Sequence, residues 1–151
     1  MACADDRTKV PGLTRSSGRI GMTFLPGKRD PGSTGQQHRD LTRDTRWLRY
    51  AHDVEALVLL VEDHELRDCQ VPDIADVMAA HGIDLIRHPI DAGSGPADRP
   101  GFGRLLDDIL ARVAHGHNVV VACRAGLART GTVVACLLRD AGLDGPTAIE
   151  A

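Results

Sequence analysis

The chain has 151 residues, 42% of them hydrophobic, so its length predicts one domain with enough apolar material for a buried core. Only 3% of the residues are aromatic, so the core is expected to be mainly aliphatic. The formal net charge of −3 gives no basic signature for nucleic acid, and we expect no nucleic-acid partner.

No apolar run is long enough to span a membrane, and no positive start leads into an apolar signal segment. We therefore predict a cytoplasmic protein that has no membrane partner. The four cysteines have neither the spacing of a zinc site nor the density of a disulfide scaffold. The seven histidines also show no metal-binding pattern, so neither a metal nor a cofactor is expected.

The N-terminal stretch, residues 1–17, is polar and without periodicity, and it predicts a flexible tail ahead of a single domain at 18–151. Residues 19–25 predict a first strand, which Pro26-Gly27 closes. A loop rich in Pro, Gly, Ser and Thr follows at 30–37.

The next part of the chain predicts a helix and a strand. Apolar spacing predicts the helix at 41–53, with Trp47 as a core anchor. Residues 56–61 form a continuous apolar run that predicts a strand. Residues 62–70 are charged and turn-like, and this turn would form a wall of a substrate cleft. Their acidic cluster is most simply interpreted as a solvated face.

A second helix is predicted to begin at Pro72 and to end at Gly82. The next strand is predicted at 83–90. Residues 91–100 are rich in Gly, Pro and Asp and therefore predict a loop, which would follow the carboxyl end of that strand, where ligands bind in parallel sheets. An amphipathic helix is predicted at 102–115.

The last elements are a strand from Val119, a helix at 130–140 and a final helix that begins at Gly145-Pro146 and ends at Ala151. Strands that alternate with helices are typical of a doubly wound α/β fold, so we predict a mainly parallel central sheet flanked by helices. No internal repeat is visible.

The junction between the Val119 strand and the helix that follows it predicts an anion site. A strand that enters a helix through a short loop places several backbone N–H groups at the positive end of the helix dipole. The backbone of the loop residues Arg124, Ala125, Gly126, Leu127, Ala128 and Arg129 is therefore predicted to bind phosphate.

Three side chains would make this site reactive. Cys123 lies where the helix end favours the thiolate, and Arg129 has a planar fork that can bind two phosphate oxygens. The hydroxyl of Thr130 could hydrogen-bond to the sulfur. This is the arrangement of an activated nucleophile for phosphoryl transfer through a phosphocysteine. Because the loop and the arginine carry the charge, the chemistry needs no metal.

Two other interpretations of the loop are open at this point. One is a buried structural cysteine with a surface arginine. The other is a rhodanese-like sulfur carrier, which also has Cys-Arg at the start of its loop but whose usual loop is one residue shorter. The five residues between Cys123 and Arg129 favour a tetrahedral phosphate.

The Cys-x5-Arg motif resembles the cysteine-dependent protein phosphatases of the protein-tyrosine and dual-specificity superfamily. The match lies at Cys123, Gly126, Arg129 and Thr130. Further stretches resemble the kinase-associated phosphatase group, which is related to cyclin-dependent kinase inhibitor 3, and its bacterial relatives. These stretches are Gly21–Lys28, Glu65-Leu66, Val71-Pro72 and His88-Pro89-Ile90 with Pro96.

The resemblance implies a protein-tyrosine-phosphatase-like fold and a general-acid Asp in the loop after His-Pro-Ile. Asp91 is one residue early for that acid, Ala92 occupies the family position, and Asp98 is a second candidate. Ala122 stands where the family usually has His, which implies a higher thiol pKa and slower turnover. Family members usually continue into another helical segment, so a chain shortened at its C-terminus is also an expectation.

The function implied is hydrolysis of phosphotyrosine, and of phosphoserine or phosphothreonine, in a phosphorylated protein. Two alternatives stay open: a catalytically impaired phosphate-binding module, and a phosphatase of phosphoinositides or small molecules. The resemblance leaves a kinase partner open as well, and the sequence does not identify the physiological substrate.

Overall fold

The computed structural model describes residues 18–30 and 38–142 together with the strand Ala2–Cys3. The strands are β1 (Ala2–Cys3), β2 (Ile20–Phe24), β3 (Val54–Leu59), β4 (Asp84–Arg87) and β5 (Asn118–Cys123). They form one sheet in the order β1-β2-β5-β3-β4. The four longer strands are parallel to one another, and β1 is antiparallel to β2. The predicted mainly parallel α/β fold is thereby confirmed.

The two central strands are also the two most apolar ones. In β5 every residue after Asn118 is buried, and in β3 only Glu55 is partly exposed. A strand that helices cover on both faces has this continuous apolar pattern, because neither face meets water. Strand β4, at the edge of the sheet, has no buried residue. The continuous apolar pattern thus occurs in the two strands that the fold places at the centre of the sheet.

Helices flank this sheet. They are α1 (Leu41–Arg46), a π-helical segment (Trp47–Ala51) that continues it, α2 (Asp63–Asp68), α3 (Ile74–Ala80), α4 (Arg99–Ala114) and α5 (Ala128–Asp140). Helices α4 and α5 contact each other and β5, whereas α1 contacts α3 and the π-helical segment contacts β3. No helix in the described part of the chain is long and apolar enough to cross a membrane.

Two of the sequence predictions for this region are wrong. The stretch 62–70 contains the helix α2, which begins with a reciprocal capping box between Glu62 and Glu65. That pattern, a Glu followed by another Glu three residues later, is the local signal that predicts the helix. Trp47 is not a core anchor, because 58% of its surface is exposed.

Other predictions fall partly or wholly outside the described residues. These are most of the tail at 1–17, the loop at 31–37 and the final helix from Gly145-Pro146 to Ala151. Within the tail, Ala2 and Cys3 pair with Met22 and Gly21 of β2.

Candidate active site

The junction of β5 and α5 lies at the centre of the carboxyl edge of the sheet. Strand β5 ends at Cys123 between β2 and β3, and α5 begins five residues later at Ala128. The loop is held to both neighbours, since the amide of Leu25 donates to the Arg124 carbonyl at 3.4 Å and that of Leu60 donates to the Ala122 carbonyl at 2.9 Å. The predicted strand–loop–helix arrangement is therefore present.

The sulfur of Cys123 faces the loop. The amide of Gly126 donates to Sγ at 3.2 Å, and only 3% of the residue is exposed. Burial works to raise the pKa of the thiol, but donation from the Thr130 hydroxyl and from the amides of Thr130, Gly126 and Leu127 outweighs it and lowers the pKa. Oγ1 of Thr130 is buried and forms no hydrogen bond with any other described residue, so its proton is free to turn toward the neighbouring sulfur.

Gly126 lets the loop turn back toward the sulfur. Its φ is +73°, and a Cβ atom there would lie 2.7 Å from the amide nitrogen of Phe24 and 2.8 Å from the carbonyl oxygen of Thr23. Any side chain would thus meet backbone atoms in a conformation that already disfavours L-residues. The glycine is required for the loop to pack against the end of β2.

Arg129 is held by a carboxylate from a distant part of the chain. Its Nη1 and Nη2 donate to the two carboxylate oxygens of Glu65, both at 2.7 Å, and Nη1 also donates to the Ile90 carbonyl at 2.9 Å. Only 3% of Glu65 and 8% of Arg129 are exposed. The prediction that the acidic residues at 62–70 lie on a solvated face is therefore wrong for Glu65.

The electrostatics agree with this geometry. The hydrogen bonds to Glu65 raise the pKa of Arg129, against the effect of burial, and the nearby Cys123 sulfur adds to the rise. Burial works to raise the pKa of Glu65, but hydrogen bonds from Arg129 and from the Glu62 amide outweigh it and lower the pKa. Both groups are therefore charged at neutral pH.

A bidentate pair leaves part of the guanidinium open. Of the five N–H donors of an arginine, Glu65 and the Ile90 carbonyl use three in Arg129. The Nε–H and one hydrogen of Nη2 have no partner among the described residues. These two donors form one edge of the planar fork, a geometry that matches two oxygens of a phosphate.

The remaining loop residues differ in exposure. Ala125, Leu127 and Ala128 are exposed, and Leu127 has 74% of its surface accessible. The guanidinium of Arg124 is turned to Asp30, with Nη2 at 3.0 Å from a carboxylate oxygen, and this hydrogen bond lowers the pKa of Asp30. The Arg124 side chain therefore holds the loop to the segment after β2.

The two candidate acids have different surroundings. Asp98 is the N-cap of α4, where its carboxylate accepts from the Gly101 amide at 2.9 Å. Asp91 is exposed, and its carboxyl group accepts a hydrogen bond from the Ser94 hydroxyl at 3.2 Å. Asp91 directly follows Ile90, whose carbonyl binds Arg129. The backbone of Asp91 therefore begins beside the arginine.

Sequence reasoning missed Glu65 as a partner of Arg129. The resemblance includes Glu65-Leu66, but the pairing joins residues 64 positions apart. The only local signal is the capping box at Glu62, which predicts a helix and gives no information about an arginine. Ala122, which stands in place of the family histidine, is fully buried.

Comparison with known proteins identifies the relatives of this chain. A family model described as "Polymorphic toxin system, DSP-PTPase phosphatase" (Tc-R-P) matches residues 33–142. Cyclin-dependent kinase inhibitor 3 of Rattus norvegicus is 25% identical over 119 residues, which cover 79% of this chain and 53% of that protein. The corresponding protein of Sus scrofa is 26% identical with the same coverage. The chain thus spans about half the length of these curated relatives.

Two solved structures extend the comparison. A kinase-associated phosphatase with serine in place of its catalytic-site cysteine superposes with a TM-score of 0.79 at 23% identity, covering 87% of this chain and 72% of that one. Tk-PTP in its active form gives a TM-score of 0.68 at 27% identity, covering 93% and 81%. Since the family model spans most of the sequence, the chain belongs to the DSP-PTPase phosphatases, a family of cysteine-based phosphomonoester hydrolases.

Proposed function

We propose that the protein is a phosphoprotein phosphatase that hydrolyses phosphotyrosine, and also phosphoserine or phosphothreonine, through a phosphocysteine intermediate. The observation that carries this proposal is the pairing of two features. The Cys123 sulfur accepts a hydrogen bond from the Gly126 amide. The Glu65 carboxylate holds Arg129 so that two guanidinium N–H groups have no partner among the described residues. A nucleophile and a phosphate clamp thus share one loop.

In the first step the Cys123 thiolate attacks phosphorus while the bond between phosphorus and the side-chain oxygen of the substrate breaks. The open donors of Arg129 and the loop amides bind the phosphoryl oxygens, on which charge accumulates in the transition state. Asp91 donates a proton to the departing oxygen. The products are the dephosphorylated side chain and phosphocysteine.

In the second step water attacks the phosphocysteine. Asp91, now a carboxylate, accepts a proton from this water, the S–P bond breaks, and inorganic phosphate and the thiolate are released. The Thr130 hydroxyl stabilises the returning negative charge on sulfur, because no other group in the described part of the chain competes for its proton. Glu65 is a positioning residue, since it acts through Arg129 and not on the substrate.

The test is hydrolysis of p-nitrophenyl phosphate by the wild type and by Cys123→Ser. We expect turnover by the wild type and a rate at the level of the buffer blank for the variant. Equal rates in the two proteins would end the proposal. A panel of phosphotyrosine, phosphothreonine and inositol phosphates at several pH values then determines the substrate class.

A second candidate is a phosphate-binding module with impaired chemistry. Ala122 in place of the family histidine and the early position of Asp91 favour it. This alternative predicts that vanadate and phosphopeptides bind without any turnover by the wild type. The third candidate, a phosphatase of phosphoinositides, requires extra cations at the site, and the Arg124 guanidinium is already paired with Asp30.

A further inference from the structure

One face of the first helical segment carries two exposed arginines and two exposed aromatic residues. Arg43, Arg46, Trp47 and Tyr50 are spaced i, i+3, i+4 and i+7, and all four are exposed, Trp47 by 58% and Tyr50 by 71%. The whole chain has only four aromatic residues of the Phe, Trp and Tyr types. Two of these four are therefore exposed on a single helical face, hereafter the Arg-aromatic face.

Neither arginine of this face has a carboxylate partner among the described residues. Arg39 is paired with Asp44 and Arg49 with Asp53, whereas the guanidinium groups of Arg43 and Arg46 form no ion pair within the described part of the chain. Arginine, tryptophan and tyrosine are also the residue types that contribute most to protein–protein binding. The face thus combines unpaired positive charge with large, low-entropy contact surfaces.

A local contact orders the tryptophan of this face before any partner binds. The segment Trp47–Ala51 is a π-helix, a rare geometry that is frequent at functional sites. The ring of Trp47 makes an edge contact with His52 at a centroid distance of 5.3 Å. A side chain that is already ordered loses less conformational entropy on binding.

A groove connects this face with the neighbourhood of the phosphate loop. Trp47 lines a groove of about 80 Å³ with Phe24 and Pro26. Arg39, fixed by two hydrogen bonds to Asp44, lies 4.4 Å from the centre of the Phe24 ring. Phe24 is in turn the register partner of Cys123 in the sheet. The groove therefore adjoins the strand that ends in the nucleophile.

We propose that the Arg-aromatic face and this groove form a docking site for an acidic segment of the phosphoprotein substrate. The inference rests on the proposed function and adds a substrate preference to it. Acidic residues near the phosphorylated side chain pair with Arg43 and Arg46, and apolar side chains of the segment contact Trp47 and Tyr50.

The observations favour a protein segment over a membrane or a nucleic acid. The face has two aromatic rings but no exposed aliphatic side chain, which is little apolar area for insertion into a lipid interface. Asp40 is the N-cap of the same helix, Asp44 lines the groove, and the chain is net acidic. A short acidic segment needs to reach only Arg43 and Arg46, whereas a continuous polyanion such as RNA would also run past these carboxylates.

The experiment compares two phosphotyrosine peptides that lack tryptophan, one flanked by Asp and Glu and the other by Gln and Ser. Trp47 is the only tryptophan of the chain, so its fluorescence reports docking directly, and a Cys123→Ser background keeps the peptides from being turned over during the titration. We expect the acidic peptide to change the Trp47 emission at concentrations roughly tenfold lower than the neutral peptide, since only the acidic peptide can pair with both Arg43 and Arg46.

The test variant is R43E/R46E, and the matched control is R104E/R139E, which changes the net charge equally on the exposed surfaces of α4 and α5. We expect R43E/R46E to lose the preference for the acidic peptide in both fluorescence titration and kcat/KM, with its rate on p-nitrophenyl phosphate unchanged. The control should keep the preference. The same preference in both variants would overturn the proposal.

Two further measurements separate this inference from its rivals and from the proposed function. The first measures binding of phosphatidylserine vesicles and of single-stranded RNA to the wild type and to R43E/R46E. If either binds the wild type more tightly than the acidic peptide does, and R43E/R46E abolishes that binding, the proposal of a protein partner is overturned. If the wild type does not hydrolyse p-nitrophenyl phosphate, the proposed function fails. An acidic peptide that still changes the Trp47 emission would then support the docking site alone.

Discussion

Replacing Glu65 by glutamine tests whether a buried carboxylate is what aims Arg129 at the phosphate. The change keeps the shape of the side chain but leaves one oxygen where the carboxylate has two, and it turns an amide N–H₂ toward a guanidinium N–H. One of the two 2.7 Å hydrogen bonds is therefore lost, and the buried arginine keeps its charge without a counterion.

The expected magnitude follows from burial. Breaking a buried ion pair by removing one partner costs about 3–5 kcal/mol, and with 3% and 8% exposure this pair is little screened by solvent. Because the amide keeps one hydrogen bond, we expect the free energy of unfolding of Glu65→Gln to fall by about 3 kcal/mol. We expect kcat/KM to fall at least about a hundredfold, since a small misplacement of a clamp costs that much.

The pH dependence gives a second readout. The pKa of Glu65 is lower in the folded protein than in the unfolded chain. Its contribution to stability is therefore fully present above the unfolded pKa, about 4.3, and is lost as the pH falls through the folded pKa. The variant should lack this loss, so the stability difference from wild type should shrink in acid.

The assays are urea denaturation and hydrolysis of p-nitrophenyl phosphate, with vanadate binding as a measure of the clamp that is independent of turnover. The control is Asp68→Asn, an exposed residue on the same helix, which should change neither quantity. A Glu65→Gln protein with the wild-type denaturation midpoint, vanadate affinity and rate would refute the positioning role.

Four further substitutions test the loop and the candidate acids. Thr130→Val removes the hydroxyl beside the sulfur, so the pKa of Cys123 should rise. The pH dependence of iodoacetamide alkylation at Cys123, followed by mass spectrometry, should shift to higher pH, and an unchanged profile would exclude the hydroxyl as a donor. Gly126→Ala places a Cβ against the backbone of the neighbouring strand in a positive-φ conformation, and should lower the free energy of unfolding by at least about 1–3 kcal/mol; a wild-type thermal midpoint would contradict this. Asp91→Asn should lower kcat by about 10²–10⁴ with little change in stability, whereas Asp98→Ala should cost about 1 kcal/mol in stability as a lost N-cap and leave kcat intact. The reverse pattern would assign the acid to Asp98.

The sequence by itself was sufficient wherever the information is local. Strands β3 and β5 consist mostly of consecutive apolar residues, which is the pattern of a strand buried on both faces. The loop between β5 and α5 is recognisable in the sequence for the same reason, because Cys123, Gly126, Arg129 and Thr130 lie within eight consecutive positions. A spacing inside one turn or loop directly determines which atoms can meet.

Only the tertiary structure decided what distant segments do. The strand order places β5 beside β2 and β3, which are far from it in sequence, and this order brings Glu65 and the Ile90 carbonyl to Arg129. It also determines which face of the first helical segment meets the sheet, and so leaves Trp47 exposed. Periodicity identifies an apolar face, but the partner of a buried charge depends on which strands become neighbours. That choice is made by the packing of the whole domain.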